Sequence, residues 1–400
     1  MNMLAQARTQ SATLMSDVGG EINAFAVEMR EDWFGDADKR AAIATLIKSL
    51  SANDAKVTVV ARESNATGID TWMKGLKTPY EIVRVPNNEL ASKDIWARDA
   101  VLVVTDDNGA LRFVRPCVVN TGEWHKWLAT HLAAPLDEVS ICLEGGDSIM
   151  AREHLWLVGA TAVKFTMKKW NVSWSQAIER IKVQIGNGML PTIAGYRLSD
   201  LSFSHQLRWL IEQQKLNREK LHQAQTFGNH ILGRLAAHGF ALVNMLRDAA
   251  IPLKQHWAHI DLVVSVTGVL DGTKPIVLVA KPCPTGCKPG SDAEAQDQRL
   301  DSLAKVLTEN GCKVIRNPAP YVESRILPYN NTILQTNPRR VWLPGFGDQR
   351  PELKATDDEN AGIWTKLGFD VVRIPGWYAF VQNYGSIRCW TLPFRRKAGQ

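Results

Sequence analysis

The sequence predicts an α/β protein. Short runs rich in β-branched residues, such as 56–61 and 80–85, alternate with segments whose apolar residues recur at helical spacing. This alternation is present in both the first and the last third of the chain. An all-β sandwich would lack such helical segments, so the pattern favours helices packed on sheets.

The first third contains these elements in a regular order. Residues 36–50 predict a helix, for which Asp36 or Asp38 is available as an N-cap. Strands at 100–105 and 111–114 flank a hairpin turn with the sequence Asp-Asp-Asn-Gly. A helix at 122–133 and a strand at 138–143 follow.

The last third repeats the alternation of strands and helices, but no sequence repeat of fixed length is recognisable. Residues 293–310 predict a helix, with Ser291 and Asp292 available as caps and Gly311 as a stop. Strands are predicted at 313–316, 332–335, 340–343 and 370–374, and a further helix at 357–367.

The middle of the chain is helical in pattern from about residue 171 to 253. Helices are predicted at 174–185, 203–225 and 229–248, and the stretch of about 190–253 is interpreted as an insertion. Its basic residues outnumber its acidic ones. Two interpretations stay open for it: a solvated helical hairpin packed on the domain, or a lid or partner-binding arm.

Composition limits the classes of function. Hydrophobic residues make up 45% and charged residues 22% of the 400 residues, which is enough to bury a substantial core. The net charge of +6 does not predict nucleic-acid binding, which requires basic residues concentrated on one face. The first twenty residues lack the apolar core of a signal peptide, and no stretch has the roughly 18 apolar residues that span a bilayer. We therefore expect a soluble cytoplasmic protein without a nucleic-acid or membrane partner.

Six cysteines are too few for a disulfide scaffold in a chain of this length, so mostly reduced thiols are expected. Cys283 and Cys287 lie four residues apart and suggest a redox pair or half of a metal site. Because no matching Cys or His pair lies nearby in the sequence, a loop with two inert thiols is the favoured interpretation, and no metal is expected.

Four short segments carry residue types suited to chemistry. They are Trp96-Ala97-Arg98-Asp99, Leu143-Glu144-Gly145-Gly146-Asp147, His259-Ile260-Asp261 and the stretch from Tyr384 to Thr391 that contains Cys389. On a strand or extended turn, two residues at i and i+2 face the same side, so the His and Asp of the third segment would share a pocket. The double glycine of the second segment would let the backbone turn sharply and approach a ligand. Taken singly, each segment has an ordinary structural interpretation, such as a surface pair, a strand-end turn or a buried thiol.

In this order, the four segments resemble the guanidino-modifying enzymes of the pentein fold. That superfamily includes agmatine, arginine and protein-arginine deiminases, dimethylarginine hydrolases and glycine amidinotransferases. The stretches 328–334 and 341–348 also resemble the strand pair of agmatine deiminases, with Asn331 included. The resemblance covers roughly residues 38–188 and 255–396.

The resemblance implies a pentein, an α/β-propeller of ββαβ-type repeats, with the mostly helical insertion at about 190–253. It implies a catalytic domain over residues 38–400, interrupted by that insertion and preceded by an N-terminal extension at 1–37. It also implies chemistry that needs neither a cofactor nor a metal.

The resemblance further implies a role for each motif residue. Cys389 would be the nucleophile, since a thiolate attacks readily and leaves easily, and Asp99 and Asp261 would clamp the guanidinium with bidentate hydrogen bonds. His259 would be the general acid–base, oriented by Glu144. Substrate contacts would come from a further set of residues: Asp147, Trp96, Asn331 and Arg388.

The reaction expected from these roles is hydrolysis of a guanidino substrate through a covalent amidino-cysteine intermediate. Arginine, agmatine and a peptidyl arginine side chain all remain open as substrates, and the oligomeric state is undetermined. Ser386, Ile387 and Arg388 stand where family members often place glycines and a histidine. The C-terminal segment also resembles glycine amidinotransferases, so transfer to an acceptor amine is the second hypothesis. A catalytically silent interaction scaffold is the third.

Overall fold

The computed structural model describes residues 13–52, 55–89, 96–106, 109–117, 124–139, 141–151, 155–185, 189–202, 205–206 and 252–397. The strands in these residues are β1 (Thr13–Leu14), β2 (Glu21–Met29), β3 (Lys56–Arg62), β4 (Tyr80–Val85), β5 (Leu102–Thr105), β6 (Leu111–Arg115), β7 (Leu136–Glu138), β8 (Ser148–Ala151), β9 (Leu155–Gly159), β10 (Thr192–Ala194), β11 (Val264–Asp271), β12 (Lys274–Lys281), β13 (Lys313–Pro318), β14 (Tyr321–Val322), β15 (Arg325–Ile326), β16 (Ile333–Thr336), β17 (Arg339–Pro344), β18 (Asp370–Ile374) and β19 (Thr391–Lys397). The α-helices are α1 (Glu31–Gly35), α2 (Ala37–Ser51), α3 (Glu63–Leu76), α4 (Ala97–Ala100), α5 (Trp124–His131), α6 (Ala160–Trp170), α7 (Trp174–Ile185), α8 (Asp292–Glu309), α9 (Lys354–Lys366), α10 (Tyr378–Val381) and α11 (Ile387–Trp390).

One structural unit recurs across the sheets. An antiparallel pair is followed by a helical crossover and a third strand that joins in parallel, as in β8–β9–β10, β11–β12–β13 and β16–β17–β18. Strands β5, β6 and β7 make the same unit, with β1 added at the edge. The predicted α/β class with ββαβ repeats is therefore confirmed in the part of the chain that the structure describes.

The remaining unit joins distant parts of the chain. Strand β2 pairs in antiparallel fashion with β19 and in parallel with β3, so residues near 25 meet residues near 393. This strand lies within residues 1–37, the stretch assigned to an extension, yet it is hydrogen-bonded along both edges. Four of its nine residues have large apolar side chains (Ile22, Phe25, Val27 and Met29), and burial of these side chains fixes the strand in the core.

Local signals account for the helices that were predicted. Helix α2 is capped by Asp36, whose Oδ1 accepts from the backbone N–H groups of Asp38 and Lys39 at 3.0 and 3.1 Å. Helix α8 is capped by Ser291, and the chain leaves it through Gly311 at a φ of +88°. The predicted 174–185 helix agrees with α7 in both bounds.

Other predictions differ from the structure. The strand expected at 138–143 is instead β7 at 136–138, because residues 141–144 form no ladder. Cys117 is bonded to Cys142, and Cys283 to Cys287, so four thiols expected to be reduced form disulfides. Their partners are close in the fold, which a count of cysteines cannot reveal. Cys312 and Cys389 are free and buried.

The helices predicted at 203–225 and 229–248 lie outside the described residues, apart from 205–206. Of the 190–253 insertion, residues 192–194 form strand β10, which extends the β8–β9 sheet. None of the helices in the described ranges is long and apolar enough to cross a bilayer.

Candidate active site

Four short turns bring the motif residues together. Helix α4 carries Asp99, a single 3-10 turn at Gly145–Asp147 follows Glu144, a second one at Ile260–Leu262 carries Asp261, and α11 carries Cys389. Helix α4 packs against α11 and the first 3-10 turn, which packs in turn against the second. The sequence left a strand or an extended turn open for His259 and Asp261; the structure places them at a tight turn, where both face the same site.

Cys389 lies in an apolar setting with a few polar contacts. Its side chain is fully buried within the largest hydrophobic cluster, beside Trp390. The thiol Sγ lies 3.1 Å from Asn331 Nδ2 and 3.8 Å from Asp261 Oδ2. Asn331 Oδ1 also accepts from the backbone N–H groups of Arg388 and Cys389, at 2.9 and 3.2 Å. Asn331 therefore positions α11 and its thiol together.

This environment disfavours the thiolate. Burial, and the carboxylates of Asp261 and Asp99, raise the pKa of Cys389 well above its usual range, whereas Arg388 acts in the opposite direction. The thiol is consequently protonated near neutral pH unless another cation enters the site.

His259 lies between two carboxylates. Its Nε2 is 2.5 Å from Glu144 Oε2, and its Nδ1 is 3.6 Å from Asp99 Oδ2. Burial lowers the pKa of His259, but Asp99 and the hydrogen bond to Glu144 outweigh it and raise that pKa well above the ordinary value. The imidazole is therefore a protonated acid at neutral pH, oriented by Glu144.

Asp99 is partly neutralised by its burial. Burial, together with the nearby carboxylates of Glu144 and Asp261, raises the pKa of Asp99 to about 7, while His259 opposes the shift. Its Oδ1 accepts from the backbone N–H of Gly146 at 3.1 Å. The carboxyl group of Asp99 therefore gains or loses its proton close to neutral pH.

The two glycines after Glu144 allow these close approaches. A Cβ atom on Gly146 would lie 2.5 Å from the ring Cγ of His259, and one on Gly145 would overlap the backbone of Arg98. Both separations are too short for any side chain, so the imidazole and α4 can come this near only because residues 145 and 146 are glycine.

Asp147 serves the loop that carries His259. Its Oδ1 accepts from the backbone N–H of Ile260 at 3.1 Å and from Gln255 Nε2 at 2.8 Å. Burial raises its pKa to about 6, with His259 opposing the shift. Asp147 is only 3% exposed, so its carboxylate fixes the position of the His259 loop from the protein interior.

Arg388 points into the site. Its Nη1 donates to Asp261 Oδ2 at 2.5 Å and to Gly145 O at 3.3 Å, and its Nη2 donates to Asp17 Oδ1 at 3.0 Å and to Ser148 O at 2.9 Å. The other oxygen of Asp261, Oδ1, is buried and accepts no hydrogen bond from the residues that the structure describes.

Asp17 holds two arginines. Its carboxylate accepts from Arg98 Nη2 at 2.5 Å as well as from Arg388, and Met150 N–H donates to its Oδ2 at 2.8 Å. Burial opposes its ionisation, but Arg388 and Arg98 outweigh it and hold the pKa of Asp17 below the usual value.

Sequence analysis missed Asp17 because it lies in no motif. Arg98 lies inside a motif and was overlooked, and Gln255, four residues before His259, gave no signal.

Trp96, at the start of α4, packs between two other parts of the chain. Its indole N–H donates to Asn383 O at 3.2 Å, its rings lie 5.0 Å from those of Trp33, and it packs directly against Gly385. Eight predicted site residues are linked through the contacts described above: Asp99, Glu144, Asp147, His259, Asp261, Asn331, Arg388 and Cys389. Trp96 joins them through its carbonyl oxygen, which accepts from the backbone N–H of Asp99 at 2.9 Å.

The fold matches that of known deiminases. Agmatine deiminase from C. jejuni superimposes with a TM-score of 0.61 at 13% identity, and the match covers 100% of each chain. A variant of the C. jejuni enzyme with substrate bound matches with a TM-score of 0.62 at 13% identity over 98% of this chain and 99% of that one. Agmatine deiminase of Enterococcus faecalis gives 0.60 at 12% identity over 97% of each chain. The chain therefore has the pentein fold. No family model and no curated protein match the sequence.

Proposed function

We propose that this protein is a cysteine-dependent hydrolase that deiminates a guanidino substrate. The observation that carries the proposal is the pair of atoms beside the thiol: Asp261 Oδ2 lies 3.8 Å from Cys389 Sγ, while Asp261 Oδ1 is buried without a described hydrogen-bond partner. A buried carboxylate oxygen without a donor costs free energy, and a bound N–H cation would recover it.

A guanidinium would bind between Asp261 and Asp99. It presents paired N–H groups that suit carboxylate oxygens, and its charge would offset the carboxylates that surround the thiol. This orientation brings the guanidinium carbon towards Cys389 and leaves one nitrogen towards His259. The structural relative with substrate bound is an agmatine deiminase, which is consistent with a small guanidine in such a site.

Binding of the substrate cation would also ionise the nucleophile. The pKa of Cys389 is raised by burial and by the carboxylates of Asp261 and Asp99. A guanidinium paired with both carboxylates reverses the second cause, so the thiol releases its proton to solvent and the thiolate forms once the substrate is in place. Cys389 is therefore an unreactive thiol in the empty site and a reactive thiolate when the substrate is bound.

The chemistry then needs few further groups. The thiolate adds to the guanidinium carbon and forms a C–S bond, His259 protonates the departing nitrogen, and the C–N bond breaks to give an amidino-thioether. Water loses a proton to His259 and adds to the same carbon. The C–S bond breaks, the hydroxyl proton of the adduct passes to the departing sulfur, the ureido product leaves, and the Cys389 thiol is regenerated. Glu144 keeps the imidazole in one orientation during both proton transfers.

Intact-protein mass spectrometry during turnover tests this proposal. The panel is arginine, agmatine, dimethylarginine and an arginine-containing peptide, with ammonia release assayed in parallel. We expect ammonia and a transient adduct that is absent from Cys389→Ala and retained in Cys312→Ala, the matched change at the other free cysteine. An adduct that persists until an amine such as glycine is added would establish an amidinotransferase instead. The absence of both adduct and ammonia for every guanidine would refute guanidino chemistry.

A further inference from the structure

A cavity of about 360 Å³ is lined by residues that lie next in the chain to candidate active-site residues. Its wall includes Ala258 and Leu262, which bracket His259 and Asp261 in the chain, and Gly385, which packs on the ring of Trp96. The remainder of a substrate whose guanidinium lay at Cys389 would extend into this space. The side chains on the far wall therefore decide which substrate tail is accepted.

The charge of the cavity is positive. Among the described residues that line it, Arg325 is the one that is charged at neutral pH, and none is an aspartate or glutamate. His256 also lines the cavity, but burial and the nearby Arg299 lower its pKa to about 4, so it is neutral. Glu323 lies close in the chain, but its carboxylate is held by Arg350 and Gln382, each at 2.9 Å.

Arg325 is fixed in place for recognition. Its Nη1 donates to the carbonyl oxygens of Val381 and Gln382 at 2.9 and 2.8 Å, and its guanidinium stacks 3.8 Å from the ring centre of Tyr384. No carboxylate among the described residues pairs with it. Its Nε and Nη2 donors are left for a ligand, in the fork that suits a carboxylate.

We infer that the substrate is a guanidino acid, a guanidine whose other end carries a carboxylate that binds Arg325. This inference rests on the proposed function, and it deepens that function by naming the substrate class. An ammonium tail such as that of agmatine would meet the positive guanidinium of Arg325 in a half-buried site and would bind less tightly. The residue that discriminates between the two is Arg325, which lies outside every catalytic motif.

Calorimetric binding to a Cys389→Ser protein tests the inference without turnover. The probes are L-arginine, its methyl ester, which lacks the negative charge, and agmatine. We expect arginine to bind at least about tenfold more tightly than the other two, as loss of a charge-assisted hydrogen-bond pair implies. Arg325→Gln in this background should remove that advantage and leave the ester and agmatine nearly unchanged. Arg40→Gln is the matched control, because Arg40 also donates to a backbone carbonyl and lies over an aromatic ring, both of Phe34, but does not line the cavity.

Arginine binding no tighter than the ester, or an equal loss for all three probes in Arg325→Gln, would overturn the inference. Ammonia release by the unmodified protein separates the two proposals. If arginine binds through Arg325 without release of ammonia, the proposed function is refuted and the inference about the carboxylate is retained. Equal turnover of arginine and agmatine, unaffected by Arg325→Gln, would support the proposed function and refute the inference about the substrate class.

Discussion

The guanidinium of Arg388 lies against the carboxylate of Asp261, with 2.5 Å between Nη1 and Oδ2. The protein thus places its own guanidinium on one oxygen of the residue proposed to bind the substrate. The other oxygen remains without a described donor. Arg388 therefore takes up part of the acceptor capacity of Asp261, leaves Oδ1 for a ligand, and places a positive charge beside Cys389.

Replacement of Arg388 by Gln should make Cys389 harder to ionise. Arg388 lowers the pKa of this thiol, so its loss raises that pKa further. We expect alkylation by iodoacetamide at pH 9 to slow by about tenfold, for a shift of about one pKa unit. The rate is measured in a Cys312→Ala background, since Cys312 is the other free thiol. Arg388→Lys keeps the charge and should react at nearly the original rate. Equal rates for Gln and Lys would show that the charge has no effect.

Ligand affinity should fall as the pH drops through about 7. Burial raises the pKa of Asp99 to about 7, so the carboxylate loses its charge below that pH, and a guanidinium prefers the ionised form. In a Cys389→Ser protein, the Kd for a guanidine should be roughly tenfold larger at pH 6 than on the plateau above pH 8. Asp99→Asn should bind weakly and show a flatter pH dependence. A dependence on pH that survives in Asp99→Asn would assign it to another group.

Gly146→Ala should abolish most activity while the fold is kept. The added Cβ would lie 2.5 Å from the ring of His259, so the imidazole must move away from Glu144 and Asp99. A displacement of this size costs on the order of 10²-fold in kcat. Gly362→Ala is the control: it lies in α9 with open space around it, and stability should rise slightly. Full activity in Gly146→Ala would mean that His259 does not need its observed position.

Glu28→Gln should stabilise the protein at alkaline pH. Burial raises the pKa of Glu28 to about 8, and its Oε2 is buried without a described hydrogen-bond partner. Because this folded-state pKa lies above that of the unfolded chain, the stability from the protonated group is complete below about pH 4.5 and is lost as the pH rises through 8. The Tm of the Gln variant should exceed that of the original by roughly 5 °C at pH 9 and match it near pH 5. Exposed Glu359→Gln should show no such trend.

The sequence predicts the chemistry of the site better than its packing. Cys389, His259 and the carboxylates stand in short motifs, so their residue types and order were sufficient to group them. The direction of the Arg388 side chain depends on whether the chain forms a strand or a helix at that position, and α11 is a helix. Asp17 had no signal at all, since its partner Arg388 lies 371 positions later in the chain.

The same limit applies to the fold. Helices α2, α7 and α8 have local caps and apolar periodicity that a sequence displays. Strand β2 was missed because its identity depends on β3 and β19, which supply its two edges. Long-range pairing of this kind leaves no mark on the residues near it, and the Cys117–Cys142 disulfide, which joins residues 25 positions apart, was overlooked for the same reason.

The pairing of β2 with β19 has a consequence for the order of events during synthesis. Ribosomes release the segment with β2 long before the segment with α11 and β19, so β2 must wait with one edge unpaired. The thiol of Cys389, the guanidinium of Arg388 and strand β19 lie next to one another in the chain and therefore emerge together. A nascent chain therefore contains His259 and the carboxylates of the candidate site before it acquires Cys389 and the strand that covers the free edge of β2.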